Sequence, residues 1–186
     1  MPQLIMYIDA RFVLKVNAII VPMFEMNQAM HLKGSCYCNA VHFECEAYAP
    51  VPYLRCHCSI CRKTAGGGGF AINLGAHADT LTVEGEEHIS VFHAVIDGVE
   101  SPAERRFCSH CGSALWVYDP GWPELVHPFA SAIDTPLPQP PEQVHMLLSS
   151  KPAWVRDDSR PGEDRHDGYP SHSLEAWHRA RGLLDE

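Results

Sequence analysis

The sequence predicts a mainly β domain built from short strands and turns. The 186 residues include 15 prolines and 13 glycines, and little of the chain has helical periodicity, a combination typical of frequent turns. Apolar and polar residues instead alternate over short runs, which is the period-2 pattern of half-buried strands. Because 46% of the residues are hydrophobic, a chain of this length can bury a core of its own.

The strand predictions follow this alternation along the chain. The clearest signal covers residues 40–46, and a second run at residues 114–118 stops at the turn Asp119-Pro120-Gly121. A proline-rich loop at residues 136–141 forces extended backbone between the last two predicted strands. The other predicted strands are residues 70–74, 80–83, 89–92, 129–133 and 144–148.

One short helix is predicted near the end of the chain, over residues 171–179. Ser171 or Ser173 would cap its N-terminus, because a serine side chain can accept a hydrogen bond from the first helical turn. Leu174 and Trp177 would then face the body of the domain.

The chain divides into three parts in this interpretation. Residues 1–29 form an N-terminal extension outside the core, and the true translation start lies at or near Met30, where the domain pattern begins. Residues 30–157 form the core domain. Residues 158–186 form a tail, and we expect the charged, turn-rich segment 157–167 to be a solvated linker.

Charge and hydropathy exclude several classes of partner. The formal net charge is −9 and no basic stripe is present, which argues against a nucleic-acid partner. No stretch approaches the roughly 20 apolar residues of a membrane-spanning helix. Asp9, Arg11 and Lys15 interrupt the N-terminal apolar residues, so a signal peptide is not predicted and we expect a cytoplasmic protein.

Seven of the eight cysteines lie in three clusters with the spacing of metal ligands. Cysteines separated by two residues can direct both sulfurs at one ion from a tight turn, and a C-x-C pair can do the same if the chain bends sharply at its first cysteine. Zinc is the usual ion for such thiolates, with Zn–S bonds of about 2.3 Å. The clusters consist of Cys36 and Cys38; of Cys56, Cys58 and Cys61; and of Cys108 and Cys111.

Other readings of the cysteines remain open. Eight cysteines could form disulfides, but no secretion signal supports this and the chain is large enough not to need them. Cys58-Ser59-Ile60-Cys61 could be a redox motif, which normally opens a helix in a βαβ unit. Glycines 66–69 follow almost at once and argue against that setting. Cys45 fits a small buried strand residue better than an eighth ligand.

The seven clustered cysteines predict two zinc ions per chain with different coordination. A structural zinc takes four ligands, and Cys36, Cys38, Cys108 and Cys111 would supply them. The remaining three, Cys56, Cys58 and Cys61, would hold a second zinc with an open position, as in catalytic sites. The alternative is that His57 completes the second site, and His110 is a similar candidate at the first.

Basic residues and glycines surround the three-cysteine cluster. Arg55, Arg62 and Lys63 would offset the thiolate charge and attract a carboxylate. Glycines 66–69, in particular Gly66 and Gly67, would let the backbone approach a ligand closely. We therefore predict Arg62, Lys63, Gly66 and Gly67 as substrate contacts. The alternative is a solvated loop and a flexible turn.

The three clusters in their order resemble the glutathione-dependent formaldehyde-activating family. Asn39 stands where that family usually has glycine, and asparagine is the residue other than glycine that best tolerates positive φ. The resemblance covers about residues 31–155. It rests on three motifs: residues 34–44, residues 56–63 and residues 106–112.

The resemblance implies a fold and an activity. The fold would be the Mss4-like β-tent of short antiparallel strands with two zinc ions, divided as above. The activity would be that of a carbon–sulfur lyase which joins formaldehyde to glutathione as S-hydroxymethylglutathione, with the second zinc as Lewis acid and Cys56, Cys58 and Cys61 as its catalytic ligands. The alternative function is a non-catalytic zinc module that binds a partner, which requires a fourth protein ligand on the second zinc or no second zinc.

Overall fold

The computed structural model describes residues 29–48 and 50–184. Nearly all of the predicted N-terminal extension lies outside these ranges, so its role and the start at Met30 stay predictions. No helix in the described ranges has the length and apolarity to cross a membrane.

The strands are β1 Ala29–Ser35, β2 His42–Tyr48, β3 Tyr53–Cys56, β4 Ala71–Asn73, β5 Ala76–His77, β6 Thr82–Glu84, β7 Ile89–Ile96, β8 Val99–Cys108, β9 Ala114–Tyr118, β10 Leu125–Pro128, β11 Gln143–Met146 and β12 Asp164–Arg165.

Helices are short and few in the described part of the chain. The α-helices are α1 Ser59–Thr64 and α2 Leu174–Ala180. Four 3-10 turns join the strands: Ala78–Thr80, Glu86–His88, Ala130–Ala132 and Leu148–Ser150. The prediction of a mainly β fold is confirmed.

The strands form three small sheets. The first has the order β1-β2-β6 and the second the order β5-β10-β9-β8-β7, and both are antiparallel. The third has the order β12-β11-β3-β4 and is mixed, because β11 runs parallel to both β12 and β3. The expected antiparallel pairing therefore holds for two sheets and only partly for the third.

The core forms where the inward faces of these strands meet. Leu32 of β1 and Phe43 of β2 are almost fully buried, as the alternating pattern requires. The Phe43 ring meets the Trp116 ring of β9 edge to face, with centroids 5.1 Å apart. Each such side chain stabilises the fold by roughly 1.5–3 kcal/mol through removal from water.

Individual strand predictions had mixed outcomes. Residues 114–118 form β9 with the predicted bounds. The strand predicted at residues 129–133 is wrong, because Ala130–Ala132 is a 3-10 turn that follows β10. Phe129 and Ala132 are buried, and a buried turn has the same apolar composition as a buried strand. Sequence analysis missed β8, since its charged residues interrupt the alternation.

The tail is more firmly attached than expected. Helix α2 begins after Ser173, whose hydroxyl accepts a hydrogen bond from the Ala176 amide at 3.1 Å, and Trp177 is buried. The segment 157–167 is mostly exposed, as expected, but it is not a free linker, because β12 lies in it and pairs with β11. Ion pairs to buried residues of the core fix the segment and explain how a charged sequence stays on the surface of the domain.

Candidate metal centres

The first candidate centre joins the end of β1 to the end of β8. Cys36 follows β1, and the tight turn after it is closed by the Asn39 amide, which donates to the Cys36 carbonyl at 3.0 Å. Asn39 has φ 59°, so asparagine serves in the left-handed position as expected. Cys108 ends β8, and the following turn closes through the Gly112 amide to the Cys108 carbonyl at 2.9 Å.

The four sulfur atoms of this centre fit a zinc ion. All four Sγ atoms, from Cys36, Cys38, Cys108 and Cys111, lie within 4.8 Å of one another. The distance from Cys38 is 3.5 Å to Cys36 and 3.7 Å to Cys108. Tetrahedral Zn–S bonds of about 2.3 Å place sulfurs about 3.8 Å apart, whereas a disulfide requires about 2.05 Å. All eight cysteines are free thiols.

The second candidate centre lies where β3 passes into α1. Cys56 is the last residue of β3, and Cys58 caps α1, its sulfur accepting a hydrogen bond from the Cys61 amide at 3.2 Å. The Sγ atoms of Cys56, Cys58 and Cys61 lie within 4.8 Å of one another. This donor set of three soft sulfurs also fits a metal ion that prefers thiolates.

The helix α1 is a correction to the sequence interpretation of this motif. The glycine run does not prevent a helix, because α1 ends at Thr64, before Gly66. The setting still differs from the usual redox unit. The strands on either side of α1, β3 and β4, pair antiparallel, whereas a βαβ unit requires parallel strands.

No histidine, cysteine, aspartate or glutamate of the described residues joins the three sulfurs as a fourth ligand. The His57 ring is buried away from them, 6.2 Å from the His145 ring and 5.5 Å from the Phe70 ring. His110 is likewise outside the first group, with its ring 4.3 Å from that of His88. Among the described residues, the second centre therefore has one protein ligand fewer than the first.

The close sulfurs of the second centre perturb one another's ionisation. Hydrogen bonds from Cys56 and Cys61 lower the pKa of Cys58, although burial opposes this. The hydrogen bonds with Cys58 and Cys61, followed by burial, raise the pKa of Cys56. One sulfur is thus stabilised as a thiolate by two neighbouring thiols. A cation is needed before all three can be thiolates together.

The basic residues predicted around this centre have different roles. Arg55 is buried, forms hydrogen bonds of 2.8 and 3.2 Å to the carboxylate of Asp158, and stacks on the Phe70 ring at 3.9 Å. It therefore anchors the tail. Arg62 lies in the last turn of α1 and has a buried Nε without a hydrogen-bond partner among the described residues. Lys63 is exposed.

Packing requires glycine at two of the four positions 66–69. A side chain on Gly66 would collide with the backbone of Phe70, because the turn closes through the Gly69 amide to the Gly66 carbonyl at 3.0 Å. Gly69 has φ 91°, and a side chain there would collide with Val155. Gly67 faces open space. Packing therefore explains Gly66 and Gly69, and leaves Gly67 as an exposed position in the loop.

Arg105 and Tyr169 also lie near the second centre, although no cysteine motif in the sequence indicates them. The hydrogen bond with Cys56 lowers the pKa of Cys61, but the hydrogen bond with Cys58 and burial outweigh it and raise the pKa to about 11. The positive charge of Arg105 also lowers this pKa. The pKa of Tyr169 is raised by desolvation and then by the charges of the three cysteines. If residues 103–108 had been recognised as a strand, the alternation of side chains would have placed Arg105 and Arg106 on opposite faces. No sequence signal identified Tyr169.

A buried carboxylate that is hydrogen-bonded to His145 gives the tail a pH-dependent contribution to stability. The Glu163 carboxylate accepts hydrogen bonds from His145 Nε2 at 3.0 Å and from the Arg160 amide at 2.8 Å. Burial raises the pKa of Glu163, but these hydrogen bonds outweigh it and lower the value to about 2. The stabilisation is therefore complete above the unfolded value near 4.5 and is lost as the pH falls towards 2.

We expect Glu163→Gln to lower the free energy of unfolding at pH 7 by about 1–2 kcal/mol, allowing for screening. The difference between the two proteins should narrow as the pH falls below 4.5, because the wild-type carboxylate then becomes neutral. Urea unfolding of both proteins from pH 7 to pH 3.5 measures this, and metal loss affects both alike. A difference that stays constant with pH would contradict the assigned ionisation.

Comparison with known proteins agrees with the geometry. Residues 31–149 match the sequence profile of the glutathione-dependent formaldehyde-activating enzyme family. A protein of Halomonas elongata, provisionally named a glutathione-dependent formaldehyde-activating enzyme, is 60% identical over 154 residues. That match covers 83% of this chain and 98% of the relative.

A crystal structure of a Rhodobacter sphaeroides protein also resembles the chain, with 23% identity and a TM-score of 0.43. It covers 72% of this chain and 98% of the other, but at that TM-score the resemblance carries no argument. The profile match and the Halomonas relative are sufficient without it. The chain belongs to the glutathione-dependent formaldehyde-activating enzyme family.

Proposed function

We propose that this protein catalyses the addition of glutathione to formaldehyde to give S-hydroxymethylglutathione, as a zinc-dependent enzyme of the carbon–sulfur lyase type. The family and the name of the Halomonas relative support glutathione and formaldehyde as the substrates. The observation that carries the proposal is the group of three sulfurs, Cys56, Cys58 and Cys61, without a fourth ligand among the described residues.

In this proposal the protein binds two zinc ions. Cys36, Cys38, Cys108 and Cys111 hold a structural ion that ties β1 to β8, and Cys56, Cys58 and Cys61 hold the second. When bound there, zinc supplies a Lewis acid with an open position, which can accept a thiol as thiolate at neutral pH or polarise a carbonyl oxygen.

The addition is balanced without any other reactant. One C–S bond forms between the glutathione sulfur and the formaldehyde carbon, and the C=O double bond becomes a single bond. The thiol proton ends on the new hydroxyl, and nothing is oxidised or reduced. The chain therefore has to position two small molecules, lower the free energy of deprotonating the glutathione thiol and exclude competing water.

The chain's own residues fit these tasks. Helix α1 holds two of the three sulfurs on a short, capped element, which fixes their separation. Arg62 and Lys63, on the last turn of the same helix, are proposed contacts for the negative charges of glutathione. Gly66 and Gly67 are proposed to let the substrate backbone approach the loop after it.

We also propose residues 30–157 as the catalytic domain and residues 158–186 as its tail. The ion pairs of the tail to Arg55 and His145 would then brace the second centre. A cytoplasmic location is proposed because all eight cysteines are free, and the seven clustered thiols require a reducing compartment to remain ligands.

Exchange NMR with ¹³C-formaldehyde and glutathione tests the proposed activity. The zinc-loaded protein is expected to accelerate formation of S-hydroxymethylglutathione at least about 100-fold over the uncatalysed reaction. Protein treated with a chelator strong enough to remove the second ion should lose the acceleration and regain it with zinc. A zinc-loaded, folded protein that leaves the uncatalysed rate unchanged would contradict the proposal.

A further inference from the structure

Arg105 is a half-buried arginine without an anionic partner in the described part of the chain. Its Nε and Nη1 atoms are buried and have no hydrogen-bond partner there. The third guanidinium nitrogen, Nη2, is not buried in this way. It is therefore the nitrogen that a ligand arriving from solvent would meet. Burying a guanidinium without an anion is costly, and such an arrangement suggests that a ligand supplies the partner.

The other arginines show how unusual this is for the chain. Six arginines of the described residues form ion pairs with carboxylates, whereas Arg62, Arg105 and Arg156 form none. Arg156 is exposed, and Arg62 already lies on α1 next to the three sulfurs. The six paired arginines are Arg55, Arg106, Arg160, Arg165, Arg179 and Arg181.

Arg105 and Arg106 are neighbours on β8 but lie on opposite faces of the sheet. Neighbouring side chains of a strand face opposite sides of the sheet. Arg106 faces a hollow of about 560 Å³, which it lines with Trp116 and Tyr118, and it is paired with Glu104. Arg105 faces the other side, close enough to Cys61 and Tyr169 to act on both electrostatically.

The charge balance of the second centre calls for such a cation. Three thiolates and one Zn²⁺ leave a single net negative charge, and a substrate thiolate adds another. A thiol that also carries carboxylates would be repelled unless a positive charge lies beside the centre. Arg55 is already neutralised by Asp158, so it cannot fill this role.

We propose that Arg105 binds a carboxylate of the thiol substrate and thereby selects thiols that carry a carboxylate over those that do not. The inference rests on the proposed function for the position of the thiol at the three-cysteine centre. Arginine suits this role because its guanidinium is always charged, so that Nη2 can donate a charge-assisted hydrogen bond to a carboxylate. Arg105 is then a specificity-determining residue on an element distant in sequence from the cysteines.

Calorimetric titration of the zinc-loaded protein with glutathione and with glutathione diethyl ester tests this selectivity. Wild-type protein is expected to bind glutathione more tightly than the diester. Arg105→Gln should weaken glutathione binding about 10- to 100-fold, the range for a charge-assisted hydrogen bond, and leave diester binding nearly unchanged. Arg105→Lys should recover part of the loss, since it restores the charge without the planar group.

Arg106→Gln is the matched control, because it removes the adjacent arginine on the opposite face of β8, and it should keep the wild-type preference. If Arg105→Gln weakened the binding of both ligands equally, or lost the second zinc, Arg105 would instead serve to balance the charge of the thiolates. Either result would overturn the inference. Unchanged binding of both ligands, or no binding of either by wild-type protein, would also overturn it.

The NMR rate separates failure of this inference from failure of the proposed function. Selective binding by wild-type protein without acceleration of the formaldehyde addition rejects the enzyme and keeps the carboxylate site. Acceleration by Arg105→Gln with a wild-type KM for glutathione rejects the carboxylate site and keeps the enzyme.

Discussion

Replacing Cys58 with serine is expected to abolish the formaldehyde–glutathione addition, with a loss of at least about 100-fold, while the protein stays folded. Changes in the residues around metal ligands already cost about 10–100-fold, so loss of a ligand should cost more. Serine suits the experiment because Cys58 caps α1, and a serine hydroxyl can accept the same hydrogen bond from the Cys61 amide. The change therefore removes the thiolate and preserves the helix.

The measurement combines the NMR rate with metal analysis of the purified protein. Cys58→Ser should contain about one zinc fewer than wild type and still unfold in a single cooperative urea transition. Cys45→Ser is the control, because Cys45 lies outside both groups of sulfurs. Burial and then the charge of Glu46 raise the pKa of Cys45 to about 12, so its thiol stays neutral. A wild-type rate in Cys58→Ser would exclude the three-sulfur centre as the catalytic site.

Replacing Cys108 with serine is expected to have the largest effect on stability, a loss of about 3 kcal/mol or more in the free energy of unfolding. The Cys108 sulfur belongs to the group that joins the end of β8 to the turn after β1, 70 residues earlier in the chain. The free energy of binding a structural zinc is also folding free energy, because the unfolded chain does not hold the ligands together.

Urea unfolding with and without chelator measures this effect. Cys45→Ser is a close control, because Cys45 and Cys108 are both almost completely buried and the substitution is the same. Chelator should lower the wild-type midpoint more than that of Cys108→Ser, because the variant has only the second ion left to lose. If Cys45→Ser and Cys108→Ser lost similar free energies of unfolding, the loss would come from burying a serine hydroxyl and not from removing a metal ligand.

The sequence was most informative where chemistry requires a fixed local spacing. Cys56, Cys58 and Cys61 come together because one strand end and one short helix place them, and the five residues from Cys56 to Cys61 leave the chain little freedom. Ser173 as a cap is a similar case, since it depends only on the next helical turn. Such local features could be predicted because nothing distant has to be known.

Prediction failed where distant residues decide the local conformation. Residues 129–133 have the composition of a strand, but the Phe129 amide bonds to the Leu115 carbonyl and a 3-10 turn follows. The charged segment 157–167 has the composition of a free linker, although Arg55 and His145 bind Asp158 and Glu163 from more than ten residues away in the chain. Composition alone cannot identify partners that the fold supplies.

By itself, the sequence determined the mainly β class, the family and the division of seven cysteines into two groups, because spacing and alternation are local properties of the chain. Only the tertiary structure decided that the His57 ring lies apart from the three sulfurs and that Arg105 of β8 lies near them. The physical reason is that burial and charge depend on which strands become neighbours, and that pairing is set by the packing of the whole domain.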